Sequence, residues 1–144
     1  MLVFVLAACS KKEDVNYAEQ QAAFDEAQIK SYINDNKIVA TRDPSGVYYS
    51  VLTPGTGAYP TATSTVNVNY TGKFTDGTTF DSGNFTTVVN GNVIEGWKIG
   101  LQKINTNGRL LLMVPSALAY GPQGRGTIPA NKVLVFTIDM LSIK

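Results

Sequence analysis

Two periodicities divide the chain. From Tyr17 to Asn36 there is no glycine or proline, and helix formers dominate the run AEQQAAFDEAQIKSYIND. Phe24, Ala27 and Ser31 lie three and four apart, as do Ile29, Ile33 and Asn36, which predicts one amphipathic helix with a weak apolar stripe. Asn34-Asp35-Asn36 signals its end. Asp43-Pro44-Ser45-Gly46 is a turn signal, and beyond it the period shortens to that of strands. Gly46 to Thr53 is β-branched and aromatic, and Val66, Val68 and Tyr70 alternate with Asn67, Asn69 and Thr71 as a half-buried strand does. Asp76-Gly77 predicts a hairpin turn into Thr78–Asp81, and Thr86 to Val89 is a further short β stretch.

The helical period returns once. Trp97, Leu101 and Ile104 at i, i+4 and i+7 predict a short helix over Glu95 to Ile104. The runs Arg109–Val114 and Val133–Ile143 are the strongest strands, with Leu134, Phe136, Ile138 and Met140 sharing a face. The expected fold is α+β: an antiparallel sheet of five or six strands wrapped over one short central helix, with an N-terminal helical extension.

Composition narrows the chemistry. The 144 residues suit one compact domain with an extension, and a formal net charge of +1 without any Lys/Arg-rich run excludes nucleic acid as a partner. There is no histidine and a single cysteine, Cys9. Histidine-based acid–base catalysis, Cys–His or Ser–His nucleophiles, the usual zinc sites and an internal disulfide are therefore excluded, and no cofactor is expected. Aromatic rings, backbone amides and a carboxylate remain.

The residues that carry a resemblance appear in order. They are Val68-Asn69-Tyr70-Thr71-Gly72, Asp76 to Ser82 (DGTTFDS), Asn92 to Trp97 (NVIEGW), Leu118-Ala119-Tyr120-Gly121, Ile128-Pro129-Ala130-Asn131 and Leu134-Val135-Phe136. Together, over residues 44–144, they resemble the FKBP-type family of peptidyl-prolyl cis–trans isomerases. The resemblance implies an apolar pocket floored by Trp97 and walled by Tyr70, Phe80, Val93, Ile94, Tyr120, Ile128 and Phe136, with Asp81 at its edge and Phe85 as an uncertain extra wall. Catalysis would fall to Tyr70, Phe80, Asp81, Trp97, Tyr120 and Phe136, and substrate binding to Val93, Ile94, Ile128 and Phe85. It also implies that the Ile94 N–H and the Tyr120 hydroxyl donate to substrate carbonyls, that proline-containing polypeptides are the substrates, and that a macrolide can fill the pocket. Simple core packing is the competing reading of each aromatic taken singly, but a Trp and two Tyr in one small core need partners for their polar hydrogens.

Such a pocket suits a reaction that makes and breaks no bond. X–Pro isomers differ little in energy, yet about 18–20 kcal/mol separates them because rotation breaks amide resonance. An apolar site accepts the twisted amide at less desolvation cost than the planar one, and a gripped proline ring converts binding energy into distortion. Two departures from the family pattern stand out. Gly83-Asn84-Phe85 is short and lacks the arginine expected after Asp81, and Thr127 replaces a commonly apolar residue. The Gly-rich tract 121–127 is expected to form a flap beside the pocket, with Arg125 on it. A non-catalytic FKBP-like chaperone or binding lipoprotein, or a plain scaffold, remains as the alternative.

The N-terminus implies an address. Met1 to Ala8 is apolar but far short of the roughly 20 residues that span a bilayer. Residues 1–8 read as a signal-peptide remnant, although no Lys or Arg precedes them. Leu6-Ala7-Ala8-Cys9 resembles the bacterial lipobox, which implies a lipid on Cys9, a lipidated tether over 9–16 and a helical extension over 17–40. The protein is then expected on a bacterial membrane outside the cytoplasm, periplasmic or at the cell surface. Lys12-Glu13-Asp14 reads either as a surface-export tract or as a solvated linker.

Overall fold

The computed structural model describes the backbone of residues 6–144 and the side chains of residues 16–144. Residues 1–5 of the expected signal remnant and the side chain of Cys9, where a lipid is expected, fall outside what is described. Helix α1 (Leu6–Asp35) is followed by β1 (Thr41–Arg42), β2 (Tyr48–Thr53), β3 (Thr65–Lys73) and β4 (Thr79–Val88). Helix α2 (Glu95–Gly100), β5 (Arg109–Val114) and β6 (Leu134–Ile143) complete the fold. All strand pairs are antiparallel, in the order β1-β2-β5-β6-β3-β4.

Alternation along the strands decides which side chains meet. On β5, Leu110, Leu112 and Val114 face inward, as do Leu134, Phe136, Ile138 and Met140 on β6. They close over Trp97, Leu101 and Ile104 from the α2 segment, all buried. Burying side chains of this size contributes about 1.5–3 kcal/mol each, so this inner layer dominates the fold's stability. A Cβ on Gly96 would lie 2.4 Å from Val114 Cγ1, so glycine there lets α2 lie directly on the sheet. The helical period ends early: Leu101–Lys103 continues as a 3₁₀ turn, which still delivers Leu101 and Ile104 to the core.

The opposite face of β5 and β6 is covered too. Leu111, Met113, Val133 and Val135 pack with Tyr48 beneath Ile29, Tyr32 and Ile33 of α1 and Ile38 after it. Two covered faces explain why RLLLMV reads as a continuous apolar run rather than an alternation.

Several expectations change. Helix α1 starts at Leu6, so its helical backbone takes in the segment 9–16 expected as a tether. Phe24 is 64% exposed, and Ala27 and Ser31 are exposed, because the docked stripe is Asp25, Ile29, Tyr32 and Ile33. The two β stretches expected around 78–81 and 86–89 are one ten-residue strand, because β3 pairs with it from Thr65 through Lys73. The helix does end at Asp35, and Lys37 adopts a left-handed conformation with φ 52°. The Ile38 N–H then donates to Ile33 O and the Lys37 N–H to Asn34 O, a Schellman cap closed by the Ile33 and Ile38 side chains.

Candidate functional site

β3 sits between β6 and β4, and its register builds the site. Tyr70 lies opposite Gly83 on β4, and Gly72 lies between Asp81 on β4 and Phe136 on β6. A Cβ on Gly72 would sit 2.5 Å from the Phe80 ring and 3.1 Å from that of Phe136, so only glycine lets those rings close together. Phe80 and Phe136 meet edge to face at 5.8 Å between centroids. Trp97, at the start of α2, is edge-on to Tyr70 at 5.3 Å, Phe136 at 5.5 Å and Phe85 at 6.2 Å. Edge-to-face packing sets the positive ring edge against the negative face, holding the rings at defined angles.

These rings surround an open cleft of about 520 Å³. Every residue expected to form the site lines it: Tyr70, Phe80, Asp81, Phe85, Val93, Ile94, Trp97, Tyr120, Ile128 and Phe136. Trp97 and Phe136 are buried, and Tyr70, Phe80, Val93, Ile94, Tyr120 and Ile128 are half-buried. Phe85, the uncertain wall, is 40% exposed and lies on the cleft. Arg125, Gly126 and Thr127 close one side, as expected of a flap, and Asn92 another.

Polar groups sit on the rim. The Tyr70 hydroxyl donates to Asp81 Oδ2 at 2.7 Å. Burial first, then the hydrogen bond and negative charge of Asp81, push the Tyr70 hydroxyl up to about 12, so it remains a donor throughout the physiological range. Asp81 is thus oriented by Tyr70 despite the missing arginine after it. A guanidinium still reaches the cleft from the flap, where Arg125 stands 5.8 Å from the Tyr120 ring centroid. Ile94 caps α2 in extended conformation, and its carbonyl accepts from Trp97 N–H at 3.0 Å. The buried Trp97 Nε1 finds no hydrogen-bond partner among the described residues.

One ring behind the cleft and one buried pair beside it escaped the sequence. Phe74 backs Phe80 at 5.0 Å, placed by the Asp76-Gly77 hairpin, whose Gly77 N–H donates to Phe74 O. Asp25 and Ser116 are buried together behind the Tyr120 turn, and nothing local in either stretch marks a pair 91 residues apart. No cluster of metal-ligating side chains occurs among the described residues.

Fold and cleft define a small α+β domain with an aromatic binding site set between a half-wrapped sheet and a short helix. The chain belongs to the FKBP-type peptidyl-prolyl cis-trans isomerase family, whose sequence profile matches residues 57–141. It is 41% identical over 133 residues to the FKBP-type peptidyl-prolyl cis-trans isomerase FkpA of Aeromonas hydrophila, covering 88% of this chain and 50% of the relative. The outer membrane protein MIP of Legionella longbeachae is 42% identical over 106 residues, 70% of this chain and 46% of the relative. The crystal structure of FkpA from Escherichia coli superposes with a TM-score of 0.75 at 33% identity, covering 95% of this chain and 67% of that one. The chain spans about half the length of the curated relatives it matches.

Proposed function

We propose that this chain catalyses rotation about X–Pro bonds in polypeptides outside the cytoplasm, and so assists their folding. The observation that carries this reading is the convergence of ten side chains, from strands, a helix start and a flap, on one open aromatic cleft. Trp97 and Phe136 receive the proline ring, while Tyr70, Phe80 and Ile128 hold it laterally. The Ile94 N–H and the Tyr120 hydroxyl take the flanking carbonyls, and the hydrogen-bonded Tyr70–Asp81 pair fixes the rim. The amide leaves water for a site of low polarity, where the twisted form loses less solvation than the planar one. No proton moves in this mechanism, which suits a chain without histidine. A macrolide with a similar ring would compete for the same cleft.

Assay of a proline peptide by protease-coupled isomerisation tests the reading. We expect catalysis that is lost in Tyr70→Ala/Phe80→Ala and blocked by a macrolide. A wild-type rate equal to the uncatalysed one would overturn it and favour a binding-only role.

The address proposed with it is a lipid on Cys9. From Cys9 to Asp25, 16 residues of helix rise about 24 Å at about 1.5 Å each, enough to hold the cleft clear of a bilayer surface. None of the described helices is long and apolar enough to cross a membrane. Mass spectrometry of the N-terminal peptide should find acyl chains, and Cys9→Ala should release the protein from the membrane fraction. An unmodified Cys9 would remove the anchor from the proposal.

A further inference from the structure

Helix α1 touches the catalytic domain at a second place, away from the apolar layer. Asp25, 1% exposed, directs its carboxylate at the turn after β5. Its Oδ2 accepts from the Ser116 N–H at 2.9 Å and from the Ser116 hydroxyl at 2.5 Å, while Gln21 Nε2 donates to Oδ1 at 2.8 Å. A carboxylate this deep is retained only if its lone pairs are satisfied, and here two of the three donors belong to one residue of the opposing loop.

Ser116, also 1% exposed, opens the 3₁₀ turn Ser116–Leu118. Its carbonyl accepts from the Ala119 N–H at 3.0 Å, immediately before Tyr120 on the cleft wall. The other end of the same loop is tied as well. Asn131 donates from its backbone to Gly121 O at 2.9 Å and from Nδ2 to the Tyr17 hydroxyl of α1 at 2.8 Å. Between these ties lie Tyr120, Arg125 and Ile128, all on the cleft.

Given the isomerase reading above, we propose that Asp25 is a positioning residue for catalysis, holding through Ser116 the turn that presents Tyr120 to the substrate. Helix α1 is then part of the active-site scaffold as well as a spacer. Displacing a side chain that orients substrate by even an ångström costs far more rate than stability, because the reacting geometry is narrow.

The test uses the full chain. Asp25→Ala is expected to lower kcat/KM about tenfold. Ile29→Ala, which weakens the docking of the same helix elsewhere, leaves kcat/KM unchanged. Asp25→Asn, which keeps an oxygen for both Ser116 donors, recovers most of the loss. In the Tyr120→Ala background, Asp25→Ala costs almost nothing further, since nothing is left to position. Amide exchange at Ala119 and Tyr120, measured relative to Leu112 in β5, accelerates in Asp25→Ala and not in Ile29→Ala. Additive losses with Tyr120→Ala, an Asn variant as poor as the Ala one, or unchanged exchange at those two amides each overturns the proposal. A wild-type chain without turnover overturns the isomerase reading instead, and the exchange measurement separates the two failures.

Discussion

At the scale of single residues, a tyrosine and a carboxyl are shifted in opposite directions by their surroundings. Asp81 lies exposed at the cleft rim and accepts from Tyr70, whose hydroxyl it helps keep protonated. Tyr70→Phe is expected to lower kcat/KM about fivefold, the equivalent of one hydrogen bond of about 1 kcal/mol, read in the isomerisation assay. Because the folded-state pKa of Tyr70 is raised from 10.0 to about 12, its contribution to stability is complete below pH 10 and disappears as pH climbs toward 12. Thermal melts of wild type and Tyr70→Phe should therefore run parallel up to pH 10 and converge above it. Asp43 behaves in the opposite sense. The side-chain and backbone bonds of Ser45, followed by Lys103 at 3.0 Å, hold its carboxyl down from 3.8 to about 2. Its contribution is complete above pH 4 and is lost as pH falls toward 2, so Asp43→Asn should flatten acid unfolding across that window.

Elements owe their limits to local chemistry and their contacts to distant chain. The end of α1 shows the first: Asn34-Asp35-Asn36 stops the helix, but the left-handed residue is Lys37 at φ 52° rather than an asparagine. Lys37→Gly should therefore stabilise the protein by about 0.5–1 kcal/mol, measured by urea unfolding, since glycine reaches that conformation without Cβ strain. The face of α1 shows the second. Its apolar stripe is weak enough that Phe24 and Ile29 compete as anchors, and only the outer surface of β5 and β6 selects Ile29. The strands were legible where one face is wet, as in Val66, Val68 and Tyr70. The length of β4 was not, because its glycine-containing middle is held by pairing with β3 rather than by propensity.

For the whole molecule, one sheet carries two hydrophobic layers: α2 and the cleft on one side, α1 on the other. Ile29→Ala, fully buried in the outer layer, should cost about 3 kcal/mol in denaturant unfolding. Removing α1 through Asp35 bares Leu111, Met113, Val133 and Val135, and binding of a hydrophobic dye should rise accordingly.

What the sequence determined by itself is whatever depends on short periods and on inventory. Alternation placed the strands, and the single return of helical spacing placed Trp97. The lack of histidine together with six ordered tracts pointed to conformational catalysis in an aromatic cleft, and all ten residues read for that cleft line it. The tertiary structure alone decided which face of α1 docks and that Asp25 meets Ser116 across 91 residues. Those contacts join segments whose local patterns do not depend on one another. A carboxylate in a helix looks solvated until the fold brings a buried pair of donors to it, and that pairing is a property of the packed chain.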